Sequence, residues 1–168
     1  MPRSRARRIL DHVVTDHHSV RRVFDEAAMK AIEGSIAAGE RAHRGQVCVA
    51  IEAALPPTRV LHHLSPRDRA MEVFGLLRVW DTEENCGVLL YLLLADRDVE
   101  IVADRGIHRK VGDAQWQAIC SALEADFRAG RYAEGVVRAV ERMSAVLAQH
   151  FPREAASVNE LPDRPTVL

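Results

Sequence analysis

The 168 residues of this chain are 48% hydrophobic and 28% charged, with a formal net charge of −1. This length suits one domain with a single hydrophobic core and is short for two. Because charges of both signs are spread along the chain, the sequence does not have the basic character of a nucleic-acid-binding protein, and we predict no nucleic-acid partner.

The first 18 residues are predicted to form a basic tail. Four arginines lie within it: Arg3, Arg5, Arg7 and Arg8. The apolar segment that a signal peptide needs does not follow them, and no run of about 20 apolar residues occurs elsewhere, so we expect a cytoplasmic protein without a membrane span. The tail is expected to be solvated, or to contact an anionic membrane surface weakly, at about 1 kcal/mol per basic residue.

A strand–helix–strand unit is predicted after an initial helix. Residues 20–42 have apolar residues near helical spacing, which predicts a helix that ends at Gly45. Residues 46–53 have the composition of a buried strand. Ser65, Pro66 and Asp68 are typical of a helix start, because a hydroxyl caps the helix, proline fits its first turn and an acid suits the positive end of its dipole. Together with the next strand, this helix predicts a right-handed βαβ unit with parallel strands.

An antiparallel hairpin completes the predicted sheet. Residues 88–95 form an apolar run bounded by turn residues, which indicates a strand buried on both faces, and residues 99–103 are its partner after a turn over 96–98. Two further helices are predicted, one capped by Asp113 and closed by Gly130 and one over residues 132–150. We expect residues 152–168 to be an extended or disordered tail. The predicted fold is a three-layer α/β/α sandwich with a small mixed sheet, in one domain over residues 19–151.

The hairpin brings two charged segments to the same end of the sheet, because the first strand begins beside the end of the second. The candidate ligands for a divalent cation there are Asp81, Glu83, Glu84, Asn85 and Asp104, and the candidate contacts for an anion or a partner are Arg105, His108 and Arg109. Oxygen ligands at alternate positions suit calcium. The alternative is a wet surface of acid–base pairs, each worth about 0 to 1 kcal/mol. In either case we expect the carboxylates of Asp81 and Asp104 to lie within about 10 Å of each other.

Three stretches of the sequence resemble the TPM domain family. They are residues 85–90, which begin Asn-Cys-Gly, residues 95–101, which contain the Asp-Arg turn, and residues 127–135, which read Phe-Arg-Ala-Gly-Arg-Tyr-Ala-Glu-Gly. The resemblance spans approximately residues 20–150. It departs from the family at residues 103–106, where the family has a glycine-rich segment and this chain keeps only Gly106.

This resemblance implies a divalent-cation site, often for calcium, and a phosphatase activity that has been attributed to some members. Two functions therefore stay open. The first is a non-catalytic interaction or regulatory module with a weak calcium site, and the second is a metal-assisted phosphatase acting on phosphomonoesters. The residues alone identify no catalytic group, since the sequence lacks a GxSxG elbow, a Cys-x5-Arg loop and a phosphate-binding glycine loop. Cys48, Cys86 and Cys120 lack metal-ligand spacing and are expected to be reduced thiols.

Overall fold

The computed structural model describes residues 5–153 and 158–168. The helices in this part of the chain are α1 (Arg5–Val14), α2 (His17–Val23), α3 (Glu26–Glu40), α4 (Pro57–Leu61), α5 (Pro66–Leu76), α6 (Arg105–Val111), α7 (Asp113–Arg128) and α8 (Tyr132–His150). The strands are β1 (Gln46–Glu52), β2 (Gly87–Leu93), β3 (Asp98–Ala103) and β4 (Thr166–Val167). In the described chain, no helix combines the length and the apolar character that a membrane span requires.

The sheet has the strand order β3-β2-β1-β4. Strands β1 and β2 are parallel and joined through α5, while β2 and β3 form the antiparallel hairpin, with Val88 opposite Ala103 and Leu93 opposite Asp98. The parallel strands of the predicted βαβ unit and the antiparallel hairpin are therefore confirmed. The fourth strand, β4, was not predicted, and it lies parallel to β1 at the sheet edge.

Strand β2 is the centre of the hydrophobic core, and every one of its residues is buried. Because side chains alternate across a strand, Leu90 and Leu92 pack with α3, α7 and α8 on one face. Leu89 and Tyr91 pack with α4 and α5 on the other face. These two packed faces confirm the three-layer sandwich.

Residues 17–40 form two helices where one had been predicted. The side chain of Asp25 interrupts the helical pattern, because it accepts a hydrogen bond from the backbone N–H of Ala28 at 2.8 Å and so caps α3. Asp16 caps α2 in the same way, through Ser19. The apolar spacing continues across the break, which explains why the pattern indicated a single helix; α3 also ends at Glu40, before Gly45.

Two further predictions on the carboxyl side of β3 were wrong. The segment predicted as a charged loop after Asp104 is helix α6, and its last turn carries basic residues that suit the negative end of the helix dipole. The residue that caps α7 is Gly112, with φ of 75°, and Asp113 is the first residue inside that helix. The predicted helix over residues 132–150 is confirmed.

Both segments outside the predicted domain have contacts with it. In α1, Arg8 binds the carboxylate of Asp96 at 2.7 Å, so the amino-terminal segment is not simply a solvated tail. Near the carboxyl end, Leu161 is buried and Thr166–Val167 pair with β1. Arg3 lies outside the described residues, and membrane contact through the arginines stays a prediction.

Candidate functional site

The loop before β2 and the start of α6 meet at one end of the sheet. The N–H of Asp104 donates to the carbonyl oxygen of Gly87 at 2.9 Å, which continues the hairpin by one more pair. Gly106 packs so closely on this loop that an added Cβ would lie 2.5 Å from the carbonyl oxygen of Asn85 and 2.9 Å from that of Glu84. The hairpin thus brings the two segments together as expected, and the contacts between them are made by the backbone.

Two exposed acids of this loop, Asp81 and Glu84, form ion pairs on the surface. Asp81 pairs with Arg78, and the Glu84 carboxylate lies 2.7 Å from the guanidinium of Arg44. The backbone N–H of Glu83 donates to the carboxylate of Glu160 at 3.1 Å. Within residues 5–153 and 158–168, no three His, Cys, Asp or Glu side chains lie together as metal ligands would. The geometry therefore favours acid–base pairs for the side chains of Asp81 and Glu84.

Asp104 differs from those acids because it is only 6% exposed. Its Oδ1 accepts a hydrogen bond from the backbone N–H of Arg105 at 2.6 Å, which caps α6. Its Oδ2 is buried and has no hydrogen-bond partner among the described residues. A buried acceptor without a partner destabilises a fold by about 1 to 3 kcal/mol, so this oxygen is the atom of the site that most requires a ligand.

The basic residues predicted to contact an anion or a partner fall into two groups. Arg105 and Arg109 border a shallow pocket of about 260 Å³ together with Asn85 and Gly106. His108 faces a different pocket, and its Nδ1 lies 3.7 Å from a carboxylate oxygen of Asp113. Only the two arginines therefore share a pocket with the acidic loop.

The three cysteines are buried thiols and do not have the properties of nucleophiles. Burial raises the pKa of Cys48 to about 11 and that of Cys120 to about 12. Burial also raises the pKa of Cys86 to about 11, and its Sγ lies 3.6 Å from the carbonyl oxygen of Arg44. All three thiols are thus protonated at neutral pH, as expected for structural cysteines.

A buried polar network on the α5 face of the sheet was not predicted from the sequence. Tyr91 donates a hydrogen bond to Glu52 at 2.6 Å, and Arg69 binds the same carboxylate through two hydrogen bonds of 2.9 and 3.0 Å. Glu52 is the last residue of β1, where a charged residue is typical of a strand end that faces solvent. Its partner Tyr91 lies on β2, 39 residues away in the chain, and only the parallel pairing of β1 and β2 brings the two residues together.

Residues 14–146 match the TPM domain family. Among solved structures, the chain is similar to the BA42 protein of the psychrophilic bacterium Bizionia argentinensis, with 29% identity, a TM-score of 0.75 and coverage of 84% of this chain and 93% of that one. It also has the fold of the N-terminal domain of a protein from P. gingivalis, with 21% identity, a TM-score of 0.62 and coverage of 79% and 83% of the two chains. No curated protein matches the chain. Since the family match covers most of its length, the chain belongs to the TPM domain family.

Proposed function

We propose that the protein is a non-catalytic interaction or regulatory module that holds a divalent cation weakly, with calcium preferred, where Asp104 meets the loop before β2. The observation that carries this proposal is the buried Oδ2 of Asp104, which has no partner among the described residues. The carbonyl oxygens of Glu84 and Asn85 lie against Gly106, which is two residues after Asp104 in the chain.

The donor atoms at this position suit a hard cation. Carboxylate and carbonyl oxygens are calcium ligands, and Asp104 together with the carbonyls of Glu84 and Asn85 would supply them. Binding is expected to be weak, because Arg105 and Arg109 border the same region and repel a dication. The carboxylates of Asp81 and Glu84 could join the ion only by leaving Arg78 and Arg44. We therefore expect a dissociation constant on the order of 0.1 to 1 mM, in the range of weak calcium modules.

Asp104→Asn is the decisive variant, because asparagine also caps helices well and the substitution removes only the charge. In a calcium titration followed by thermal unfolding and calorimetry, the wild-type protein should gain about 2.7 kcal/mol when free calcium reaches 100 times the dissociation constant. The matched control is Asp113→Asn, which changes an exposed acid at the start of the neighbouring helix. Asp104→Asn should lose the gain and Asp113→Asn should keep it. A calcium response that survives in Asp104→Asn would contradict the proposal.

A metal-assisted phosphatase is the second candidate, favoured by the pocket that Arg105 and Arg109 border beside Asn85. Guanidinium groups next to a cation could hold phosphoryl oxygens, while the cation would supply Lewis-acid chemistry. Hydrolysis of p-nitrophenyl phosphate that needs a divalent cation, and that falls in both Asp104→Asn and Arg105→Ala, would establish this function. Calcium binding without hydrolysis of the phosphate ester would support the non-catalytic module over the phosphatase.

A further inference from the structure

A second pocket lies at the opposite end of the sheet from Asp104. Its volume is about 540 Å³, within the range of small-molecule sites. It lies beyond the carboxyl ends of the parallel strands β1 and β2, next to the β2–β3 turn, where open α/β sheets usually bind their ligands. Helix α1 and the beginning of α8 form other walls, so the pocket exists because the amino-terminal segment docks on the domain.

The inner wall of this pocket is apolar and aromatic. Leu94 and Val23 line it beside the rings of Phe127 and Tyr132. The two rings pack with their centroids 5.0 Å apart, and the ring of Phe24 meets Tyr132 edge-on at 6.5 Å. Because three rings hold one another in place, the wall is a fixed aromatic surface.

The mouth of the pocket carries a positive charge that no described residue neutralises. Arg97 lines the pocket, and its guanidinium has no hydrogen bond or ion pair within the described chain. Arg7 also lines it, but the carboxylate of Asp11 lies 3.1 Å away and balances its charge. The Tyr132 hydroxyl likewise has no partner among residues 5–153 and 158–168. The pocket therefore offers one net positive charge and one free hydroxyl beside an aromatic wall.

The backbone at Arg97 adopts a strained conformation, so the choice of arginine at this position needs an explanation. Its φ is 54°, and its N–H donates to the carbonyl oxygen of Leu94 at 3.0 Å to close the turn. Glycine or asparagine adopts this left-handed conformation more easily than arginine. Strained residues of this kind cluster at ligand sites, because function maintains them against the conformational preference.

We propose that this pocket binds a small aromatic anion. The aromatic body would lie on Phe127 and Tyr132, and a carboxylate, sulfonate or phosphate group would accept hydrogen bonds from Arg97 and the Tyr132 hydroxyl. A guanidinium binds such groups through charge-assisted hydrogen bonds. The site is independent of the cation proposed at Asp104, which lies at the other end of the sheet.

The test is a titration of the full chain with 1-naphthoate, followed by calorimetry and by chemical shifts of the backbone amides. Shifts should concentrate on residues 94–97 and 132, and Arg97→Asn should weaken binding about tenfold or more, because one charge-assisted contact is lost. Since asparagine suits a positive φ, the same variant should unfold at an equal or higher temperature than the wild type. A residue with only a structural role would not combine weaker binding with retained stability.

Arg78→Asn is the matched control, because Arg78 has the same φ of 54° and does not line this pocket. It should bind 1-naphthoate as the wild type does, and so should Asp104→Asn. Tyr132→Phe keeps the ring and should weaken binding a few-fold. Absence of binding, shifts centred elsewhere, or equal affinity in Arg97→Asn would overturn the proposal.

Discussion

The docking of α1 depends on Asp96, and replacing this residue by asparagine tests how the amino-terminal segment is held. The Asp96 carboxylate accepts hydrogen bonds from the Nε and Nη2 of Arg8 at 2.9 and 2.7 Å. His12 Nε2 lies 3.2 Å from the same carboxylate. His12 Nδ1 accepts a hydrogen bond from the N–H of Leu55 at 2.9 Å, so the ring proton must be on Nε2 and face Asp96.

The free energy of unfolding that Asp96→Asn removes can be estimated from the burial and the pKa of Asp96. The side chain of Asp96 is 9% exposed and that of Arg8 is 24% exposed, so solvent screens the pair only slightly. Burial alone would raise the pKa of Asp96, but the contacts with His12 and Arg8 outweigh it and lower that pKa from 3.8 to about 2. A lowering of this size corresponds to roughly 2 kcal/mol of folding free energy. Asp96→Asn should therefore lower the free energy of unfolding by about 2 to 3 kcal/mol at pH 6, because it also leaves Arg8 without its charged partner.

The pH dependence has a defined sign. A carboxyl whose pKa is lower in the folded state stabilises the fold above its unfolded pKa, so this contribution is complete above about pH 4 and is lost as the pH falls toward 2. Urea unfolding at several pH values should show that the difference between wild type and Asp96→Asn shrinks over this interval. Asp81→Asn, which breaks an exposed pair with Arg78, should change stability by less than about 1 kcal/mol. An effect of Asp96→Asn as small as this control, or one that does not change with pH, would refute the reasoning.

Two further predictions concern packing. Leu92 is fully buried on the central strand, so Leu92→Ala should lower the free energy of unfolding by about 2 to 5 kcal/mol in urea titrations, and a loss under roughly 1 kcal/mol would contradict the packing of β2. Gly106→Ala should destabilise the protein, because the new methyl group meets the carbonyl oxygens of Glu84 and Asn85 at 2.9 and 2.5 Å. Gly34 lies in α3 with no atom within 4 Å of an added Cβ, so Gly34→Ala should raise stability by up to about 1 kcal/mol. Equal thermal unfolding of the two variants would show that the contact at Gly106 is not tight.

The central strand and the α5 start could be predicted because their signals are local. The apolar run of β2 is bounded by turn residues, and Ser65 accepts the hydrogen bond from the N–H of Asp68 that its position implied. The break between α2 and α3 could not be found in the same way, because the apolar spacing continues through Asp25. Helix α6 could not be found from periodicity, because its seven residues include a single buried apolar residue, Ile107.

The parts of the candidate site that the sequence did not predict depend on contacts between distant residues. Arg44 and Glu84 are 40 residues apart, and the ion pair between them decides where that carboxylate points. Arg8 and Asp96 are 88 residues apart, and the sequence of α1 on its own indicates only a basic tail. Hairpin geometry predicted which segments meet at the Asp104 end of the sheet. It did not predict which side chains were already paired there, because ion pairing is set by side-chain conformations that the strand pattern does not specify.

The most direct test of the cation site is to locate a bound ion by its effect on nearby amides. Substoichiometric Mn²⁺ broadens the resonances of nuclei near it, and calcium should reverse the broadening by displacement if both ions use the same oxygen ligands. We predict that broadening concentrates on residues 84–87 and 104–107, is reversed by calcium, and is lost in Asp104→Asn but retained in Asp113→Asn. Broadening centred on other residues, or unchanged in Asp104→Asn, would contradict the proposed cation site.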